Sequence, residues 1–207
     1  MEHSVGVPFK VLLIGGPSGV GKSTAGASLA RQLGIPWLQV DDLRLALQYS
    51  GLVPRKQHPE LFFFLDRADW RVSPEAYRDK LLAVARIISG ALRIVVESHI
   101  ATNIPILIEG DGILPEFAAK VSEEFGEGDI RSVFVIEHDE SVLLANMLER
   151  GRGIDPNASA ERQTETRGKA LFSDWIQREA ERYGLPTVTP LPWETLPGRL
   201  MSARRNA

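Results

Sequence analysis

The sequence of 207 residues predicts an α/β fold, in which a mainly parallel sheet of five strands lies between helices. Two observations predict this fold. Short apolar runs typical of buried strands alternate along the chain with longer segments whose apolar residues recur at helical spacing. A glycine-rich loop joins the first predicted strand to the first predicted helix. The length suits one domain spanning residues 1–207.

The predicted elements follow one another in regular order. The five predicted strands are residues 9–14, 37–40, 104–109, 130–137 and 186–189. Helices are expected from residue 22 to Gly34, after Asp42, from a Ser73-Pro74 start, over about 139–149, and from about 160 to Tyr183. Within the third helix, Gly90 favours a bend or break, and the β-branched residues 94–96 favour a strand as the alternative.

The loop after the first strand carries the pattern G-x-x-x-x-G-K-[ST], from Gly16 to Ser23. Glycines at these positions let the chain curl so that successive N–H groups point at phosphate oxygens. The helix that follows adds its positive N-terminal dipole. This combination is the signature of P-loop NTPases, which predicts a three-layer α/β/α fold and binding of ATP. The residues expected to contact the nucleotide are Gly16, Pro17, Ser18, Gly19, Val20, Gly21, Lys22, Ser23 and Thr24.

Two side chains of this loop are predicted to take part in the chemistry. Lys22 is expected to act as a catalytic residue that brings a positive charge to the β- and γ-phosphates. The hydroxyl of Ser23 is expected to be a ligand of Mg²⁺.

The predicted second strand is followed by Asp41-Asp42-Leu43-Arg44. A carboxylate here could orient or deprotonate an acceptor hydroxyl, so Asp41 is a candidate catalytic residue. Asp42 and Arg44 are candidates for substrate binding, with the guanidinium holding an anionic group. The alternative is that both acids only cap a helix. Residues of about 42–75 are predicted to form a helical acceptor-binding region.

The strand 104–109 ends in an acid, Glu109, and Asp111 follows two residues later. A hydrophobic strand that ends in a carboxylate is typical of the second nucleotide-binding motif, which holds Mg²⁺ directly or through water. Glu109 is the predicted ligand. Asp111 is the alternative, although an aspartate between two glycines is also typical of a turn.

An arginine- and glycine-rich segment at about 149–165 predicts a lid over the phosphates. Arg150 and Arg152 are the candidate catalytic residues, because arginines can stabilise the charge of the phosphoryl group during transfer. The alternative is a solvated, flexible loop. Trp193, after the last strand, is a weaker candidate for a position near the adenine. The basic residues from Arg199 to Arg205 are expected to form a solvated helix end.

Composition excludes several classes of function. The net charge of −3 argues against an extended nucleic-acid-binding surface. The chain has no cysteine and four widely spaced histidines, which exclude thiolate catalysis and make a histidine-rich metal site improbable. We find no signal peptide and no apolar run long enough to span a bilayer, so a cytoplasmic location without membrane contact is expected. The sequence does not indicate an oligomeric state.

Three stretches resemble the nucleoside-monophosphate-kinase branch of P-loop proteins, and within it the 2-phosphoglycerate kinase family. They are residues 13–24 (LIGGPSGVGKST), 41–44 (DDLR) and 108–115 (IEGDGILP), and residues 175–186 fit more loosely. The family has an Asp-x-Ile-Arg-like segment at the second stretch and an Ile-Glu-Gly-x-x-x-x-Pro-like segment at the third. The resemblance implies a parallel five-stranded sheet with a lid, and an ATP-dependent kinase of a small anionic metabolite similar to 2-phosphoglycerate.

The expected reaction is in-line transfer of the γ-phosphate of ATP to a small anionic acceptor, with Mg²⁺ bound. Two alternatives stay open. One is a nucleotide-dependent ATPase or switch that acts through a protein partner. The other is a kinase of the same fold whose acceptor is a nucleoside, an antibiotic or a sugar.

Overall fold

The computed structural model describes residues 7–65, 73–150 and 159–203. Within them a single sheet of five parallel strands has the order β2-β3-β1-β4-β5. The strands are β1 (Val11–Gly15), β2 (Trp37–Gln39), β3 (Ile106–Glu109), β4 (Ile130–Val135) and β5 (Thr187–Val188). The predicted α/β class and the parallel five-stranded sheet are confirmed.

Seven α-helices connect or flank these strands in the described residues. They are α1 (Lys22–Leu33), α2 (Val40–Tyr49), α3 (Pro74–Thr102), α4 (Pro115–Phe125), α5 (Glu140–Arg150), α6 (Ser159–Arg182) and α7 (Leu196–Ser202). A 3₁₀ helix spans Pro59–Leu65.

The predicted helix signals act as expected at two of these elements. Gly34 ends α1 in the left-handed conformation, with its N–H bonded to the carbonyls of the last turn. At the start of α3, the Ser73 hydroxyl accepts a hydrogen bond from the Ala76 amide at 3.1 Å, and Pro74 follows it. Helix α3 then continues for 29 residues through Gly90 and residues 94–96. The alternative strand at 94–96 is therefore wrong.

The alternation of side chains along the strands produces two cores, one on each face of the sheet. Val11, Leu13 and Ile108 pack on one face against α3, α4 and α6. Leu12, Ile14 and Leu107 pack on the other face against α1, α7 and the start of α5. The result is three α/β/α layers.

The structure differs from the prediction at several element boundaries. Asn103 closes α3 in the left-handed conformation and Ile104 donates to the carbonyl of His99, so β3 begins only at Ile106. Val40 begins α2, which places Asp41 and Asp42 in the first helical turn. Neither acid is the residue before the helix, which is Gln39.

Helix α4 was not predicted, and of α7 only a helix end from Arg199 was expected. Each begins near a proline, Pro115 and Pro197 respectively, which suits the first turn of a helix. None of the described helices contains an apolar stretch of the length and low charge that a bilayer crossing requires.

Candidate functional site

The loop between β1 and α1 has the geometry that its glycines predict. Gly16 has φ +131°, and a Cβ atom there would lie 2.1 Å from the carbonyl oxygen of Val135. Gly21 has φ +77°, and a Cβ atom would lie 2.4 Å from a ring carbon of Trp193. Both positions therefore require glycine for conformation and for space.

Lys22 is the first residue of α1 and only 5% exposed. Its Nζ donates a hydrogen bond to the carbonyl oxygen of Pro17 at 2.7 Å, which places the ammonium group inside the curl of the loop. No side chain caps the N-terminus of α1. The amides of this helix end are thus left without a side-chain partner and could bind an anion held by the loop.

Glu109 lies at the end of β3, opposite Ile14 of β1, and is 3% exposed. Burial raises the pKa of its carboxyl group, while Lys22 and a hydrogen bond from Ser23 act in the other direction. The two predicted magnesium ligands, Ser23 and Glu109, therefore lie near each other at the wall of one cavity.

This pair of oxygen donors fits Mg²⁺. The ion binds proteins through one or two carboxylates together with water and substrate phosphates, and does not need an all-protein cage. The described residues contain no group of three or more acidic, histidine or cysteine side chains placed to hold a metal.

Asp41 is joined to Arg44 by an ion pair within the first turns of α2. Arg44 donates to Oδ1 of Asp41 through Nε at 3.3 Å and through NH2 at 3.1 Å. Its NH1 also donates to Oε1 of the buried Gln48 at 3.0 Å, and the Gln48 amide donates to the carbonyl of Leu61. The chain of bonds connects the candidate base Asp41 to the 3₁₀ helix of the predicted acceptor region. Gln48 was not identified in the sequence.

Asp111 follows β3 and lies close to Asp41. Its pKa is raised by burial first and by the negative charge of Asp41 second, against the opposing effect of Lys22, Arg44 and Lys169. Asp41 is thus the acid that acts most strongly on Asp111, whereas Lys22 and Ser23 act most strongly on Glu109 after burial.

A cavity of about 200 Å³ brings these groups together at the carboxyl ends of the strands. Its walls include Ser18, Lys22, Ser23, Gln39, Asp41, Glu109, Asp111, Met147, Glu165 and Lys169. Glu165 and Lys169, both on α6, were not identified as site residues in the sequence. At i,i+4 spacing on a polar helix they have the pattern of an ordinary surface ion pair.

A second cavity, of about 540 Å³, lies on the other side of the loop. Thr24, Asn146, Trp193 and Leu196 are among the residues that line it. The Asn146 side chain donates to the Gly19 carbonyl at 3.0 Å. Trp193 therefore lies beside the glycine-rich loop, and its position near the adenine stays a prediction.

The segment that presents Trp193 is held by Arg199 of α7. The Arg199 guanidinium donates to the carbonyl oxygens of Pro190 at 2.9 Å and of Pro192 at 3.0 Å, and also to that of Thr189. The predicted solvated helix end thus begins with a residue that organises the loop after β5.

The predicted lid, about 149–165, includes residues 151–158, which lie outside the described residues. Helix α5 ends at Arg150 and α6 begins at Ser159, so residues 159–165 belong to a regular helix. The side chain of Arg150, and Arg152 as a whole, lie outside the described residues.

Several solved structures align with most of this chain. An uncharacterized protein from Eubacterium ventriosum aligns with a TM-score of 0.50 at 14% identity, over 94% of this chain and 97% of that chain. A gluconokinase from Sinorhizobium meliloti gives 0.48 at 16% identity, over 94% and 90% of the two chains. A shikimate kinase from Aquifex aeolicus gives 0.46 at 21% identity, over 92% and 93%. No protein-family model matches the sequence, and no curated protein matches it either.

Proposed function

We propose that the protein is an ATP-dependent phosphotransferase that acts on a small molecule. The observation that supports this most strongly is the loop from Gly16 to Ser23, with the buried Lys22 ammonium inside it and with Glu109 beside Ser23. This arrangement provides amides and a cation for a triphosphate, and two oxygen ligands for Mg²⁺. Small-molecule kinases among proteins of similar fold agree with the proposal.

In this proposal the loop amides and Lys22 bind the phosphates of ATP, and Ser23 and Glu109 hold Mg²⁺. The bound ion would supply positive charge that offsets the charge of the phosphates. Asp41 lines the same cavity as Lys22 and accepts the proton of the acceptor hydroxyl. Arg150 and Arg152 remain proposed lid residues that would add positive charge during transfer.

The acceptor expected from the family resemblance is a small anionic metabolite such as 2-phosphoglycerate, bound through Asp42 and Arg44. Arg44 is already engaged by Asp41 and Gln48, so an anion would have to share or displace these contacts. The acceptor is therefore best identified by experiment from a panel that contains charged and uncharged compounds.

The test is release of ADP from Mg·ATP in the presence of 2- and 3-phosphoglycerate, glycerate, nucleosides and sugars. Lys22→Ala should lower the acceptor-dependent rate by at least about 100-fold, because it removes a cation from the transferred phosphoryl group. Lys120→Ala, at an exposed position of α4, is the matched control and should keep the wild-type rate. Full activity of a folded Lys22→Ala variant would contradict the proposal. Tight ATP binding without transfer to any acceptor would instead favour a switch that acts through a protein partner.

A further inference from the structure

Helix α6 carries a buried ion pair that the proposed reaction does not yet use. Nζ of Lys169 lies 2.7 Å from Oε1 of Glu165, and the two side chains are 4% and 15% exposed. Removing such charges from water is costly, and a buried pair often stabilises a fold no more than apolar residues of the same size would. Since both residues line the cavity that contains Lys22, Asp41 and Asp111, we consider their role in binding.

Packing holds this part of α6 in place. Gly168 lies against the ring of Tyr77 on α3, and a Cβ atom there would come within 2.5 Å of that ring. The next residues after the pair are also buried: Ala170 contributes to the core on the α1 face and Phe172 to the core on the α3 face. The pair is thus held at the cavity wall by a rigid helix, which suits a specificity element.

The hydrogen-bonding capacity of the pair matches neighbouring hydroxyl groups. A lysine ammonium has three donors, of which the contact with Glu165 uses one, and a carboxylate accepts several hydrogen bonds. Each hydroxyl of a vicinal diol is both donor and acceptor. One hydroxyl can therefore accept from Lys169 while its neighbour donates to Glu165, without separating the ion pair.

The charges of the described walls disfavour a strongly anionic acceptor. Four carboxyl groups line this cavity, those of Asp41, Glu109, Asp111 and Glu165, against the two ammonium groups of Lys22 and Lys169. In the proposed reaction Lys22 is committed to the phosphates of ATP and Glu109 to Mg²⁺, which leaves the carboxyl groups of Asp41, Asp111 and Glu165 toward the acceptor. Lys169 and Arg44 each already face a carboxylate. A phosphate group carried by the acceptor would therefore lie mainly among negatively charged side chains on these walls.

Resting on the proposed function, we infer that the acceptor is an uncharged polyhydroxylated small molecule, and that Glu165 and Lys169 bind two of its adjacent hydroxyl groups. The reacting hydroxyl oxygen bonds to the γ-phosphorus of ATP as the bond from that phosphorus to the β,γ-bridging oxygen breaks. ADP leaves with the electron pair of that bond, and Asp41 takes the hydroxyl proton.

The experiment measures phosphoryl transfer to matched sets of acceptors with the same carbon skeleton. Each set contains a polyol or sugar, its carboxylate, its phosphate ester and a deoxy analogue lacking one of two adjacent hydroxyls. The variants are Glu165→Gln, Lys169→Met and the double variant. Lys120→Met and Glu123→Gln, on the exposed face of α4, are the matched controls. The double variant matters because removing one partner leaves an uncompensated buried charge that can unfold the chain.

We expect transfer to the uncharged compounds to exceed transfer to their carboxylates and phosphates. The folded variants should raise the KM for the polyol by roughly 10- to 100-fold, as loss of a hydrogen bond to a charged group does, and change the KM for ATP by less than about threefold. The variants should also no longer distinguish the polyol from its deoxy analogue, an effect that a merely structural role would not produce.

Preferred transfer to phosphorylated or carboxylated acceptors would overturn the inference and leave the proposed function standing. The inference would also be overturned if the double variant keeps the wild-type KM for the polyol while circular dichroism shows that it is folded. Absence of transfer to every compound, with ATP bound, would overturn the proposed function itself.

Discussion

The side-chain amide of Asn146 donates a hydrogen bond to the main-chain carbonyl of Gly19 at 3.0 Å, across 127 residues of sequence. This bond joins the tip of the phosphate-binding loop to α5, the helix that ends at Arg150. The loop is therefore held from two sides, by α1 at its end and by α5 at its tip. Loops of this kind bind phosphate well when their amides are already oriented before the ligand arrives.

Asn146→Ala should weaken nucleotide binding while the fold stays intact. A hydrogen bond of this kind contributes about 0.5–1.5 kcal/mol, so the KM for ATP should rise by roughly 3- to 10-fold. ATP kinetics and nucleotide titration would measure the effect. Gln177→Ala, at a surface position of α6 where Gln177 bonds Glu181, is the control and should leave the KM unchanged. An unchanged KM in Asn146→Ala would mean that the loop keeps its shape without α5.

Two glycines allow opposite predictions for the same substitution. Gly21→Ala places a methyl group at φ +77° and within 2.4 Å of the Trp193 ring, so we expect a loss of stability of about 1–3 kcal/mol and weaker ATP binding. Gly90→Ala lies inside α3 with open space around it, and should stabilise the protein by about 0.5–1 kcal/mol. Denaturant unfolding measures both. Equal effects of the two substitutions would contradict the geometry of the loop.

The sequence predicts the local parts of this structure well. The loop from Gly16 to Ser23, the strand before it and the helix after it are encoded within about 25 consecutive residues, so pattern and conformation coincide. The position of Glu109 at the end of β3 was also predictable, because parallel strands place their carboxyl ends at one edge of the sheet. These features are the ones that predict where a nucleotide would bind.

The contribution of α6 to the cavity could not be predicted from the sequence. Glu165 and Lys169 line the cavity only because α6 packs against α3 at Tyr77 and Gly168, a contact between distant segments. Asn146 likewise reaches Gly19 through tertiary structure alone. Helical spacing can predict that two residues share a face, but it does not predict which cavity that face lines.

The raised pKa of Asp111 should be measurable in the pH dependence of the free energy of unfolding. Burial and the nearby Asp41 raise its pKa above the ordinary value of 3.8, so the folded protein binds this proton more tightly than the unfolded chain does. The resulting stability is fully present below pH 3.8 and is lost as the pH rises through the raised pKa. The Asp111→Asn variant has no carboxyl group to ionise at this position, so it does not lose this stability as the pH rises. The free energy of unfolding of the wild type, relative to the variant, should therefore fall as the pH rises from about 4 toward neutrality.

Unfolding curves at a series of pH values, without nucleotide, would measure this difference. Asp79→Asn, at an exposed position of α3, controls for the general effect of removing one negative charge. If the wild type and Asp111→Asn respond to pH in parallel, Asp111 does not carry the cost of burial that its position implies.

The two acids after β3 should separate in their dependence on magnesium. Ser23 acts on the carboxyl group of Glu109, whereas the nearest acid to Asp111 is Asp41, so only Glu109 is placed beside the other predicted metal ligand. Glu109→Gln should raise the Mg²⁺ concentration needed for half-maximal activity and lower kcat, each by roughly 10- to 100-fold. Asp111→Asn should leave the Mg²⁺ requirement within about threefold of the wild type. Initial rates at varied Mg²⁺ and fixed ATP would measure the Mg²⁺ requirement of both variants. The reverse pattern would assign the metal to Asp111. Glu109 would then act only as a partner of Lys22 and Ser23.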